Sequence, residues 1–119
     1  MAGDYDAIVC GGSFGGLAAA EQIGGRVLVV DRLEIGDGET SASAVPLAVL
    51  ENMDMTHVID QVHDAIYVHT RRHSQRLTFF PFATFDYRRF CEDLFARTGA
   101  DFVRARISHA RAGRVETTA

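Results

Sequence analysis

In the first third of the chain, two short apolar runs flank a stretch of small residues, and this pattern predicts an α/β unit. A short apolar run over Tyr5–Cys10 stops at glycines, as a buried parallel strand does. Gly15–Ile23 is rich in small residues and is followed by two glycines, which predicts a helix. The apolar run Arg26–Val30 predicts a second buried strand ending at Asp31. Together they predict a βαβ unit over residues 4–32, and a right-handed crossover makes its two strands parallel neighbours.

The middle of the chain mixes extended and helical patterns. Residues 33–43 have no periodicity and predict a loop. Apolar residues from Ala44 to Gln61 recur at roughly helical spacing, which predicts one or two helices. Two stretches rich in β-branched and aromatic residues, Ala65–Thr70 and Arg76–Phe80, flank a polar segment and predict a hairpin.

The last part of the chain predicts a helix followed by strands. Apolar residues within Phe85–Arg97 recur at the spacing of an amphipathic helix, and Gly99 is its C-cap. Asp101–Ile107 predicts a third strand and Arg114–Thr118 the start of a fourth. A natural domain rarely ends on an unpaired strand. The predicted fold class is therefore α/β: a Rossmann-like, incomplete parallel sheet with an inserted β-hairpin and helices.

Charge and composition narrow the classes of partner. The 119 residues are 47% apolar, which suits one domain or part of one. Residues 1–69 hold two arginines against eleven acids, and residues 70–119 hold ten arginines against five acids. The acidic first half argues against nucleic acid as the main ligand. No apolar run approaches the ~20 residues of a membrane span, and the N-terminus lacks a basic signal region. These features predict a cytoplasmic protein without a transmembrane segment.

Reactive side chains do not form a recognisable catalytic or metal site. Cys10 and Cys91 are far apart and have apolar neighbours, which predicts that both are small buried side chains. His69 and His73 bracket a predicted turn, so their spacing does not place them on one face and no metal site is expected. No acid, base or nucleophile can be assigned a catalytic role.

The stretch IVCGGSFGGL, residues 8–17, resembles a dinucleotide-binding turn of the form G-x-G-x-x-G. Gly11 and Gly16 fill the first and last places, where glycine allows a tight turn and close packing of helix on strand. Ser13 stands in the middle place, and its hydroxyl can donate to a phosphate oxygen. A helix N-terminus supplies the donors and positive potential that a pyrophosphate needs. The predicted phosphate-binding residues are Gly11, Gly12, Ser13, Phe14, Gly15 and Gly16.

An acid at the end of the second strand completes this signature. Asp31 lies 20 residues after Gly11, where a carboxylate accepts hydrogen bonds from a ribose. In a plain nicotinamide domain, a third parallel strand follows within about 25–35 residues. Here the next candidate begins at Asp101, about 70 residues later. The order of elements predicts nucleotide binding, and the long interval favours FAD over NAD(P).

Three segments resemble the glutathione-reductase-like FAD-binding fold, in the branch of aromatic hydroxylases and geranylgeranyl reductases. They are DYDAIVCGGSFGGLAAA, RVLVVDR and FDYRRFCEDLFARTGADFVRARI, and the specific motifs lie in the first 32 residues. The resemblance implies that Gly11–Gly16 hold the pyrophosphate of FAD, that Asp31 holds the ribose and that Arg32 lies by the adenine. It also places Ser41 and Ser43 near the flavin. Tyr87 departs from the arginine or glutamine that often begins the later helix in such proteins.

The resemblance implies FAD binding as the N-terminal segment of a flavin-dependent oxidoreductase, whether monooxygenase, dehydrogenase or reductase. Residues 1–119 are then the N-terminal part of an FAD-binding domain, without the domain that binds a small-molecule substrate. We expect them to be inactive alone. Two alternatives stay open, which are an NAD(P)-binding domain without flavin and a non-catalytic fragment that needs a second chain.

Overall fold

The computed structural model describes residues 4–39 and 41–118, so residue 40 of the predicted loop lies outside the described residues. The chain divides into two compact units. Unit 1 comprises Met1–Glu39 and Cys91–Ala119, and unit 2 comprises Thr40–Phe90. Within the described residues, no helix has the length and apolar character that crossing a membrane requires.

The described residues form ten strands, three α-helices and one 3₁₀ turn. In chain order they are β1 (Ala7–Cys10), α1 (Phe14–Gln22), β2 (Val27–Asp31), β3 (Ala44–Pro46), α2 (Leu47–Asn52), a 3₁₀ turn (Thr56–Val58), β4 (Ile59–His63), β5 (Ile66–His69), β6 (Ser74–Leu77), β7 (Phe82–Phe85), α3 (Tyr87–Thr98), β8 (Asp101–Arg104), β9 (Arg106–Arg111) and β10 (Arg114–Thr118).

Unit 1 is built on a parallel sheet with the order β1-β2-β8. Ala7 pairs with Val27 at the start of β1 and β2, and Leu28 of β2 pairs with Asp101 of β8. The predicted βαβ unit and its parallel third strand are therefore confirmed. Because all three strands run in the same direction, their carboxyl ends meet at one edge, where ligands of open α/β sheets bind.

The core of unit 1 lies between this sheet and its helices. Ala20 of α1 packs with Val27 and Val29 of β2 in one buried cluster. Small residues in α1 allow the helix to approach the sheet closely. Phe95 of α3 meets Phe102 of β8 edge-on, with ring centroids 6.2 Å apart. The helix α3 ends as predicted, since Gly99 has a φ of 65° that favours glycine.

Val29 at the centre of β2 is fully buried, so shortening it should destabilise unit 1. We expect Val29→Ala to lower the free energy of unfolding by about 2 kcal/mol, because two methyl groups are removed and a cavity is left. Urea unfolding followed by circular dichroism measures this change. The control Val115→Ala shortens a partly buried valine in β10 and should cost less. Equal losses for the two variants would contradict the assigned core.

Unit 2 holds a three-stranded antiparallel sheet of order β3-β7-β4 and a separate hairpin of β5 and β6. The predicted hairpin is confirmed, with Ile66 opposite Leu77, but its second strand is Ser74–Leu77 and not the predicted Arg76–Phe80. The prediction of one or two helices over residues 44–61 is confirmed for the middle of this stretch, where α2 and one 3₁₀ turn lie, and is wrong at both ends. Both flanks become strands by pairing with β7, which the sequence pattern did not predict.

Two further expectations about unit 1 are corrected. The predicted strand Asp101–Ile107 is broken at Ala105, whose N–H donates to the carbonyl oxygen of Asp31 at 2.8 Å. Beyond this break the chain enters β9, which pairs antiparallel with β10, so the last predicted strand is not unpaired as expected. Cys91 is buried as predicted, but Cys10 is exposed at the end of β1. Successive side chains of a strand point to opposite faces, and Cys10 lies on the same exposed face of β1 as Ile8.

Candidate functional site

The glycine turn lies at the carboxyl edge of the parallel sheet in unit 1. Gly11 follows β1 directly and has a φ of 119°, a conformation that L side chains rarely adopt. Its N–H donates to the carbonyl oxygen of Val30 at 2.8 Å. This hydrogen bond ties the beginning of the turn to the end of β2. The first place of the motif therefore needs glycine for the reason that the sequence predicts.

The last glycine of the motif is required by close approach. A methyl group added at Gly16 would overlap the carbonyl oxygen of Gly11 and lie 2.9 Å from its carbonyl carbon. It would also lie 3.2 Å from Cγ1 of Val9. The first turn of α1 thus rests on the end of β1 with no room for a side chain. This contact fixes the direction in which the N-terminus of α1 points.

The N-terminus of α1 supplies the chemistry of an anion site. Ser13 is the N-cap with extended backbone, and its carbonyl oxygen accepts from the N–H of Leu17 at 2.9 Å. Its side chain makes no capping hydrogen bond to the helix. Phe14 is the first helical residue. A Cβ added at Gly15 would meet no described atom within 4 Å, so the turn is open on that side. First-turn N–H groups have no partner inside a helix and attract phosphate.

Asp31 links the glycine turn to the end of β2. Its Oδ2 accepts from the N–H of Gly12 at 2.8 Å, and its Oδ1 accepts from the N–H of Leu33 at 2.9 Å. An ionised carboxylate has about four acceptor positions, so two remain for other donors such as ribose hydroxyls. The sequence predicts a ribose acceptor at this residue. Only the structure adds its second role, which is to hold Gly12 in place.

Gly12 is enclosed on the side that faces Asp31. A Cβ added there would lie 2.8 Å from Cδ1 of Ile35 and 3.5 Å from Cβ of Asp31. The absence of a side chain at Gly12 therefore lets the turn approach the carboxylate. Gly11, Gly12, Ser13, Phe14, Gly15, Gly16 and Asp31 are brought together at this one edge of the sheet.

Two adjoining cavities open at the same edge. One has a volume of about 270 Å³ and is lined by residues that include Gly11 and Asp31. The other, of about 410 Å³, is lined by Arg32, Leu33, Arg104, Ala105 and Arg106. The two share Arg32, Ala105 and Arg106. A continuous surface thus leads from the glycine turn past the carboxylate of Asp31 to a cavity lined by arginines.

The segment Arg104–Arg106 was not among the residues predicted for the site. Nε of Arg104 donates to the carbonyl oxygen of Arg32 at 3.1 Å, and its Nη1 lies 4.0 Å from Oε1 of Glu34. Both groups of that ion pair are exposed, so its contribution to stability is small. This segment could have been predicted from its position directly after the third parallel strand, because ligands bind at that edge of such sheets.

Ser41 and Ser43 belong to unit 2, whereas the site residues described above belong to unit 1. Oγ of Ser41 accepts from the N–H of Ser43 at 3.1 Å. Ser43 has a φ of 50° and is 4% exposed, and its carbonyl oxygen accepts from the N–H of Phe85 at 3.0 Å. The contacts described here order the loop before β3. The assignment of these two serines to a flavin stays a prediction.

Comparison with known proteins identifies the fold. No family model matches the sequence, and no curated protein matches it significantly. A crystal structure of a geranylgeranyl bacteriochlorophyll reductase-like protein from Thermoplasma acidophilum is similar, with a TM-score of 0.74 and 21% identity. The match covers 93% of this chain and 33% of that one.

Two further structures show the same likeness. A myxobacterial chondrochloren halogenase, described as a variant of FAD-dependent halogenases, has a TM-score of 0.64 and 18% identity over 93% of this chain and 31% of its own. A flavin-dependent brominase has a TM-score of 0.67 and 11% identity over 95% and 35%. The chain spans about a third of the length of these structures. The predicted Rossmann-like α/β fold is therefore confirmed, as the fold that this chain shares with about a third of each of these structures.

Proposed function

We propose that the chain binds FAD through unit 1 and forms the N-terminal part of a flavin-dependent oxidoreductase. The observation that carries the proposal is the carboxylate of Asp31, which holds Gly12 at 2.8 Å beside an open helix N-terminus. A carboxylate and a phosphate-binding turn at this distance suit the ribose and pyrophosphate of one adenine dinucleotide. The similarity in fold to FAD-dependent and flavin-dependent enzymes supports a dinucleotide whose second half is a flavin.

The described residues offer the groups that such a ligand would need. Gly11 and Gly16 lie so close together that the turn has no room for a side chain at position 16. First-turn N–H groups of α1 would bind the pyrophosphate, and Asp31 would accept from the ribose. The cavity of about 410 Å³ would take the adenine, with Leu33 and Ala105 as apolar walls. Guanidinium groups such as those of Arg32 and Arg106 stack favourably on aromatic rings.

The chemistry in this proposal belongs to the cofactor, since FAD accepts and donates the electrons of the reaction. Residues of this chain bind the adenosine and pyrophosphate groups and thereby orient the rest of the molecule. A part that binds a small-molecule substrate, on the same chain or on a second one, would complete the enzyme. The activity of the whole protein is part of the proposal, because the chain spans about a third of the similar structures.

Cofactor binding can be tested directly on the purified chain. We expect it to carry, or to take up, FAD, seen as the visible absorbance of oxidised flavin and identified by chromatography after denaturation. Because unit 1 would bind the adenosine diphosphate half, ADP should compete with FAD. FMN lacks the adenosine and one of the two phosphates, and it should bind at least about 100-fold more weakly, equal to about 2.7 kcal/mol. A colourless, folded protein that is stabilised only by NAD(P) would overturn the FAD assignment.

A further inference from the structure

The hairpin of unit 2 is unusually uncovered. We call residues Ile66–Leu77, which comprise β5, β6 and their turn, the arm. Within the described residues, β5 and β6 pair only with each other. All ten residues from 67 to 76 are exposed, including Tyr67 at 60% and Val68 at 43%. An isolated two-stranded hairpin is marginally stable in water, so an uncovered arm gains stability from a partner surface.

The arm is strongly basic within an acidic protein. Residues 65–85 contain no aspartate or glutamate, whereas the arm contains Arg71, Arg72 and Arg76. The rest of the chain carries nine arginines against sixteen acids. Among the described residues, none of these three guanidinium groups pairs with a carboxylate. The arm therefore presents unneutralised positive charge and should bind an acidic surface.

A matching acidic surface lies in the same unit. We call residues 60–64 the acidic edge, because β4 is an edge strand and carries exposed Asp60, with exposed Asp64 directly after it. Neither carboxylate has a partner among the described residues. Val62 between them is 50% exposed. Edge strands also leave backbone N–H and C=O groups available for pairing.

Within one copy, the described residues show no ion pair between the arm and the acidic edge, even for Arg76, which lies opposite Tyr67 at the base of the arm. The two are joined by Ala65 alone, and the arginines of the turn, Arg71 and Arg72, lie a whole strand away. A strand of four residues spans roughly 13 Å, which exceeds the Debye length of about 8 Å at physiological salt. A second copy has no such restriction. The arm of the second copy can lie along the acidic edge of the first, and by symmetry the arm of the first lies along the acidic edge of the second.

Apolar side chains of the same region would be covered in the same contact. Phe79 is 80% exposed and Phe80 is 45% exposed, next to the arm. Residues 59–80, which include the acidic edge, the arm and both phenylalanines, form a stretch of 22 residues. A stable protein interface uses about 20–30 residues on each side. Seventeen of these 22 residues are exposed, so this region would supply the larger part of one side of a symmetric dimer.

We infer that two copies of the chain associate through unit 2, with the arm of each copy bound to the acidic edge of the other. The inference is independent of the proposed cofactor, because it rests on residues 59–80 and not on the glycine turn. Opposite charge gives the contact its orientation and specificity, and the exposed aromatic rings supply apolar area.

Charge reversal tests this arrangement, with the mass in solution measured by sedimentation equilibrium. At low salt, we expect the wild-type chain to be a dimer that weakens as salt is raised. Arg71→Glu with Arg72→Glu should raise the dimer dissociation constant at least about tenfold, and so should Asp60→Arg with Asp64→Arg. An equimolar mixture of the two variants should form a heterodimer, because both contacts then join opposite charges again.

Controls separate this outcome from unfolding and from other partners. Arg111→Glu with Arg114→Glu makes the same charge change in unit 1 and should leave the dimer intact. Circular dichroism of each variant confirms that it is folded. A wild-type chain that stays monomeric up to about 100 μM at low salt would overturn the inference, and so would a mixture that fails to associate. Binding of a monomeric chain to anionic vesicles or to nucleic acid would assign the arm to that partner instead.

Discussion

Replacing Gly16 with alanine is expected to abolish nucleotide binding. The new methyl group would overlap the carbonyl oxygen of Gly11 and lie 2.9 Å from its carbonyl carbon. Because both atoms belong to the backbone, α1 must move away from the end of β1. We expect the affinity for FAD to fall at least about 100-fold, which equals about 2.7 kcal/mol. The dissociation constant is measured by titration of flavin fluorescence, and the thermal midpoint should fall as well.

Gly15→Ala is the matched control for this prediction. The two glycines are neighbours in the first turn of α1, but a methyl group at Gly15 meets no described atom within 4 Å. Alanine is favoured over glycine within helices by about 1 kcal/mol, so this variant should be at least as stable as the wild type. If both variants lost the same stability, close packing of α1 on β1 would not be the reason that Gly16 is needed.

Removing the carboxylate of Asp31 should have the second large effect. Asp31→Ala leaves the N–H groups of Gly12 and Leu33 without their acceptor, and hydrogen bonds to charged groups contribute about 1.5–3 kcal/mol each. We expect the free energy of unfolding to fall by about 2–4 kcal/mol, since solvent compensates in part. The affinity for FAD should fall by about 30-fold or more, because the ribose also loses its acceptor.

Two further variants separate these contributions of Asp31. Asp31→Asn keeps one carbonyl oxygen but presents an NH₂ group to the second N–H, so its losses should be intermediate. Asp101→Asn changes an exposed carboxylate that accepts from the hydroxyl of Tyr5 at 2.9 Å, where the parallel strand β8 begins. This control should leave the affinity for FAD unchanged. If Asp31→Ala bound FAD as the wild type does, the ribose would lie elsewhere.

The βαβ unit of unit 1 was predictable because its signals are local. The small residues of α1, the apolar runs of β1 and β2 and the acid at Asp31 follow one another within about 30 residues. The need for glycine at position 11 could also be predicted, because the positive φ there is a property of one residue. The geometry of the glycine turn could therefore be predicted from the sequence, and the binding of phosphate by its residues stays a prediction.

The sheet of unit 2 was not predictable in the same way. Apolar residues over 44–61 have a spacing that favours a helix, yet Ala44 and Val45 are extended because they pair with Thr84 and Ala83. These partners lie about 40 residues further along the chain. Strand formation depends on such distant hydrogen bonds and packing more than on intrinsic preference.

The break at Ala105 shows the same limit within the site itself. The apolar pattern of Asp101–Ile107 continues through this residue without a turn signal. In the fold, the N–H of Ala105 binds the carbonyl oxygen of Asp31, and the chain then leaves the parallel sheet for β9. The arginines on either side line the cavity beside the glycine turn.

The sequence by itself determined the glycine turn, the acid that follows the second strand and the parallel order of the strands around them. It did so because each depends on dihedral preferences and spacing over short stretches of chain. The tertiary structure alone decided that Asp31 holds Gly12, that Arg104–Arg106 complete the cavity and that Gly16 touches the backbone of Gly11. Those contacts join residues from different elements, and their geometry exists only after the strands have paired.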